Sequence, residues 1–242
     1  MKRLLATTAI VCGALWFHHP AHAHIDFLLG NNPQQPSEQN ILFTGGESGL
    51  LLTDGQVDHT GASVFFTTLG NPLQVLGQQS GGQAKITCIS GCIDNSGVPG
   101  ATNEEDAQLG SISMRAGTLN GQATAWGDAI IDLTNGIGTA LVTVTDNFGA
   151  PFTYTLGHGS NFLTIIATPG SGEFITRIDV TNDVPGAAFG FNEFDQPRVS
   201  GLCTIGATGC QTVPIPAPEP ATIALLGVGL LGTLAAARRK RS

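Results

Sequence analysis

Two acidic spacings in this chain have the form that general acid–base chemistry uses. Asp128 and Asp132 lie four residues apart, and Glu193 and Asp195 lie two apart. On a strand each pair shares a face, because side chains alternate with a period of two. Two carboxyl groups about 5–10 Å apart can cleave a glycosidic bond. Spacing alone does not build the cleft that such a pair needs, so the expectation is exposed, solubilising charge. Other catalytic patterns are missing. Beyond the first 23 residues the histidines are His24, His59 and His158. There is no H-E-x-x-H, and Gly46-Glu47-Ser48-Gly49 is not the G-x-S-x-G elbow. His158, within Gly157-His158-Gly159-Ser160, reads as a turn histidine. No catalytic residue is assigned, and the protein is expected not to be an enzyme.

Binding chemistry is somewhat better represented. Calcium takes about six to eight oxygen ligands. The polar stretch after Cys92 offers Asp94, Glu104, Glu105 and Asp106 as a candidate calcium site. Sugar platforms use the flat apolar faces and polar tips of Trp and Tyr. The candidates here are Trp126 and Tyr154, although Trp126, between Ala125 and Gly127, holds a position more often found in a core. Four cysteines follow the N-terminal segment: Cys88, Cys92, Cys203 and Cys210. An even number in an exported chain reads as disulfides, and three pairings are possible. The local ones, Cys88–Cys92 and Cys203–Cys210, are preferred because each brackets a Gly-containing turn. Metal binding by C-x3-C is the weaker alternative, since no zinc-spaced partner lies nearby.

The elements that must position these residues are strands. Thr139–Asp146 puts Ala140, Val142 and Val144 on one face and Thr143 and Thr145 on the other. Asp146-Asn147-Phe148-Gly149 supplies turn residues before Phe152–Leu156, which predicts a hairpin. In 174–181, Phe174, Ile178 and Val180 face one way and Arg177, Asp179 and Thr181 the other. Further strands are expected at Ile41–Phe43, Ala62–Thr68, Ala84–Ser90, Gly110–Arg115, Ala129–Leu133, Phe162–Thr168, Ala187–Phe194 and Arg198–Leu202. No long 3.6-residue period interrupts them. The fold class is all-β, an antiparallel β-sandwich of jelly-roll-like form. A long polar loop is expected over 94–106.

Composition agrees. Charged residues are only 12% of the 242, and Thr, Val, Ile and Phe recur between glycine-rich turns. Within 24–213 four cations, Lys85, Arg115, Arg177 and Arg198, stand against seventeen acids, a net charge of −13. Such a surface repels phosphate backbones, so nucleic acid is not an expected partner.

The two ends address the chain. Lys2 and Arg3 precede an apolar stretch from Leu4 to Phe17, and Ala21-His22-Ala23 forms an A-x-A cleavage site. Residues 1–23 thus read as a signal peptide, helical in its apolar part and cut by signal peptidase. At the other end Pro218-Glu219-Pro220 leads into an uncharged run of 17 residues, Ala221–Ala237, followed by Arg238, Arg239, Lys240 and Arg241. A helix of that length spans roughly 25 Å, close to a membrane's hydrocarbon core. The basic stop would stay on the cytoplasmic side of the inner membrane and hold the domain outside. Gly227, Gly229 and Gly232 spell G-x-G-x-x-G within this run, where no strand precedes them, so they carry no dinucleotide site.

Pro218-Glu219-Pro220, the apolar run and the basic terminus together resemble the PEP-CTERM sorting signal of Gram-negative bacteria. The resemblance implies recognition and cutting near that motif by a membrane exosortase, then release or attachment outside the cell, commonly where extracellular polysaccharide or biofilm is made. Ser80-Gly81-Gly82-Gln83-Ala84, Gly159–Thr164 and Phe194–Val199 resemble pieces of uncharacterised PEP-CTERM proteins with a jelly-roll-like β-sandwich. The organisation read here is a signal peptide over 1–23, an extracellular β domain over 24–213 and a sorting signal with a transmembrane helix over 214–242. The function expected is that of a cell-surface or extracellular-matrix protein. A carbohydrate-binding module stabilised by calcium is the alternative, and a secreted glycoside hydrolase a third.

Overall fold

A computed structural model describes residues 24–32, 38–43, 48–50, 52–70, 74–79, 85–94, 107–134, 136–157, 159, 161–206 and 209–213. The signal peptide, most of the 94–106 loop, His158 and the whole sorting signal lie outside these residues. No helix occurs among those described. None is therefore long and apolar enough to cross a membrane.

Among the described residues eighteen strands follow in order. They are β1 (Ile25–Leu29), β2 (Gln39–Leu42), β3 (Ser48–Leu50), β4 (Leu52–Val57), β5 (Ser63–Thr67) and β6 (Val75–Gln79). Then come β7 (Lys85–Ser90), β8 (Ile112–Ala116), β9 (Thr118–Leu119), β10 (Gln122–Ala125), β11 (Asp128–Thr134) and β12 (Ala140–Asp146). The last are β13 (Pro151–Leu156), β14 (Asn161–Ala167), β15 (Ile175–Asn182), β16 (Glu193–Ser200), β17 (Cys203–Gly206) and β18 (Gly209–Thr212).

The main path of pairing runs β1-β14-β11-β16-β2-β4-β5-β8-β15-β12-β13, with β7, β6 and β3 branching from β16. Every pairing is antiparallel, as at β11–β14 and β12–β15. Strand β2 pairs with β16 on one side and β4 on the other, so it joins the two layers of a sandwich-like fold. The path nearly closes: Phe27 of β1 stacks on Tyr154 of β13 with ring centroids 5.2 Å apart. Inward alternation fills the space between. Ile131, Leu163, Ile165, Phe194 and Val199 come from one layer, and Val64, Phe66, Met114, Val142 and Val180 from the other, all buried. Burial of this kind stabilises by about 25 cal/mol per Å² of apolar surface.

The expected hairpin forms as β12–β13. Asp146 Oδ1 accepts hydrogen bonds from the amides of Phe148 (2.9 Å) and Ala150 (2.8 Å), and Gly149 turns at φ 84°. Two expectations need correction. Ile175, not Phe174, points inward, because a register shift between Thr145 and Asp146 changes the phase of β15. Residues 187–192 are not a strand, and the two strands expected over 187–202 merge into β16. Pro197, which cannot donate to a ladder, sits at a bulge where β16 gains a residue against β11, and Gln196 turns there at φ 44°.

A small sheet, β18-β17-β10-β9, caps one end. Both ends of the domain emerge there. His24 accepts from Thr168, and Ala167 donates to Gly127. Gly127 in turn donates to Gly201, and Val213 donates to Leu202. At the opposite end Gln74 stitches the loops, donating to the carbonyls of Gly91 and Gln108 and accepting from Gly110.

Candidate functional site

Strand pairing brings both acidic pairs onto one face. Asp132 lies directly opposite Asp195 in the β11–β16 register, Thr134 opposite Glu193 and Asp128 opposite Ser200. Lys85 of β7 lies opposite Asp195 on its other side and places its ammonium 2.7 Å from Glu193. Arg198 reaches Glu38, just before β2, at 3.4 Å. One outer face of the sandwich thus gathers five carboxyl groups and two cations.

These carboxyls are not the exposed charge expected from spacing. Asp128, Asp132 and Asp195 are 1%, 6% and 9% exposed. The outer face of this layer is covered: Ile130, between Asp128 and Asp132, is fully buried. On the neighbouring strand Thr164 Oγ1 donates to Gly30 and accepts from Asn32, which seats that segment over β14. Ser200 donates a short hydrogen bond to Asp128 Oδ1. Asp128 Oδ2 and Asp132 Oδ1 are buried with no donor among the described residues. Burial accordingly pushes Asp132 up to about 6, with Asp195 and then Glu193 adding repulsion and Arg198 opposing it. Burial also raises Asp128, against hydrogen bonds from Ser200, and it raises Glu38 despite Arg198. The chemistry is that of an enclosed acidic layer whose buried carboxyls hold their protons more tightly than exposed ones do. No group of three or more His, Cys, Asp or Glu among the described residues is arranged to hold a metal.

The other candidates separate. Trp126 is 0% exposed and packed in the core, so it offers no face to a sugar ring, which corrects that expectation. The reason is local: Trp126 bridges to Ile175 by paired backbone hydrogen bonds between the two layers. Tyr154 is half-buried, one ring face taken by Phe27. Asp94 is half-buried, and the other three residues expected at the calcium site, Glu104, Glu105 and Asp106, lie outside the described residues. Both local disulfides form: Cys88–Cys92 with Cα atoms 5.7 Å apart and Cys203–Cys210 with Cα atoms 5.4 Å apart. Sequence reasoning did not connect the four acids with Lys85, Arg198 and Glu38, because that assembly depends on which strands are neighbours.

Comparison with known proteins identifies the tail. Residues 216–241 match the PEP-CTERM protein-sorting motif, a span that contains Pro218, Glu219 and Pro220 and all four residues of the basic stop. The chain therefore carries the address of an exported protein sorted by exosortase. No curated protein matches the chain. Among solved structures, a mutant of the family 29 carbohydrate-binding module CBM29-2 in complex with mannohexaose is similar at 15% identity. It covers 68% of this chain and 90% of its own, with a TM-score of 0.25.

Proposed function

We propose that this is a non-enzymatic surface or matrix protein. It crosses the inner membrane behind its signal peptide, is processed by signal peptidase and exosortase, and associates through its jelly-roll-like β domain with extracellular polysaccharide. The observation that carries this reading is the sorting motif at 216–241 behind an all-β domain closed by two disulfides. Local disulfides suit an oxidising, extracytoplasmic setting. The acidic layer supports the non-enzymatic side, since a two-carboxyl hydrolysis needs both groups within reach of a sugar and a water. Here Asp128, Asp132 and Asp195 are walled in. Because both domain ends emerge beside the small sheet, the loops stitched by Gln74 and bridged by Cys88–Cys92 form the end held away from the tail.

The test is co-sedimentation of the exported protein with the host's own extracellular polysaccharide, in calcium and in chelator. Saturable binding is expected. Loss in chelator would place a divalent cation in or near the binding site, with Asp94, Glu104, Glu105 and Asp106 the first residues to substitute. Absence of binding in both conditions would sink the polysaccharide reading.

A further inference from the structure

His24 is held by both of its backbone groups. Its carbonyl accepts from Thr168 N at 3.1 Å and from Thr168 Oγ1 at 2.9 Å. Its nitrogen donates to Glu173 Oε2 at 2.6 Å, across 149 residues of sequence. Glu173 is 4% exposed. It is fixed from behind, because its own amide donates to Ser171 Oγ, which donates to Thr168 O. None of the domain's four cations serves it. Lys85 pairs with Glu193, Arg198 with Glu38, Arg177 with Asp179, and Arg115 Nε donates to Ser113. A buried carboxylate facing one neutral amide is poorly compensated, since burying charge without an opposite charge is costly.

The sequence places a cleavage site at the bond that feeds this nitrogen, Ala21-His22-Ala23 before His24. We infer that Glu173 is the docking site for the new N-terminus that signal cleavage creates. In the hydrolysis a peptidase adds water across the Ala23–His24 bond. The hydroxyl goes to the Ala23 carbonyl carbon and a proton to the His24 nitrogen. That amine takes one further proton at neutral pH, because α-amino groups titrate at about 8. The neutral amide donor becomes an ammonium at the same place, and the hydrogen bond becomes an ion pair. The His24 ring does not compete, since it turns to the exposed Asp26 at 2.8 Å. Removal of the signal peptide thus tightens the junction of β1 with the β14–β15 connection, and the processed protein is more stable than its precursor. The inference rests on cleavage falling after Ala23.

The test uses exported protein purified from secreting cells. N-terminal sequencing should begin at His24. Thermal unfolding is then compared for the free amine and for protein acetylated at its α-amine, which restores a neutral amide, in wild type and in Glu173→Gln. Acetylation should lower Tm by roughly 3–8 °C in wild type and by less than about 1 °C in Glu173→Gln. A different N-terminal residue overturns the assignment. An acetylation effect of equal size in both backgrounds, or none in wild type, overturns the ion pair while leaving the cleavage site standing.

Discussion

Replacing Asp132 by Asn should stabilise this protein, and only above a certain pH. Asp132 is held at about 6 in the fold against an ordinary 3.8. The folded state therefore binds its proton more tightly than the unfolded state does. Below about pH 4 both states are protonated and the group contributes no penalty. Between about 4 and 6 the unfolded chain ionises first, and stability is lost as pH rises. Above about 6 the loss is complete. Roughly two pH units at about 1.4 kcal/mol each give close to 3 kcal/mol as a ceiling. Attraction to Arg198 is already contained in that figure; an amide that fits the carboxyl's place imperfectly brings the gain to about 1–2 kcal/mol. For a domain of 190 residues this is roughly 3–8 °C in Tm. Thermal unfolding followed by circular dichroism at pH 4, 5, 6 and 7.5 reads it directly. Asp132→Asn should melt higher than wild type at pH 7.5 and within about 1 °C of it at pH 4. Asp195→Asn should reproduce part of the effect by removing the repulsion across the β11–β16 pair. A pH-independent shift, or a lower Tm at pH 7.5, would refute the buried-carboxyl argument.

Other consequences are simpler. Trp126→Ala should cost about 3–5 kcal/mol in urea unfolding, the usual penalty for emptying a buried aromatic site. Loss of polysaccharide binding in a still-folded Trp126→Phe would contradict its core role. Replacing Cys203 and Cys210, which are seven residues apart, by Ala should lower stability by about 2–3 kcal/mol on the chain-entropy model, read as a Tm difference from wild type with Cys88–Cys92 left intact. Gly201 turns at φ 59° with an added Cβ only 3.1 Å from Gly127 Cα. Gly201→Ala should therefore destabilise by about 1–3 kcal/mol in the same unfolding assay.

Local alternation made much of the fold legible. Residues 139–156 alternate cleanly and carry their own turn, so both strands and their connection could be read without knowing any neighbour. Pro197 defeated the same reasoning, because its ring argues for a break and only the bulge at Gln196 accommodates it within β16. Ile25–Leu29 offered no alternation to read: Leu28 and Leu29 are exposed in a strand that owes its place to pairing with β14. The acidic layer was half legible. Each pair could be found by spacing, but burial is decided by neighbouring strands and by the Gly30–Asn32 segment over Thr164. Local disulfides could be read for the opposite reason, since each closes within one turn of its own.

Delivery and processing of the β domain through its tail would leave a mark on the exported chain. The most direct test is the intact mass and C-terminal sequence of the protein recovered outside the cell. A C-terminus at or near Pro218-Glu219-Pro220 with Ala221–Ser242 absent is expected, as is retention of the whole tail when these three residues are replaced by Ala. An exported wild-type protein that still carries Arg238, Arg239, Lys240 and Arg241 would contradict it.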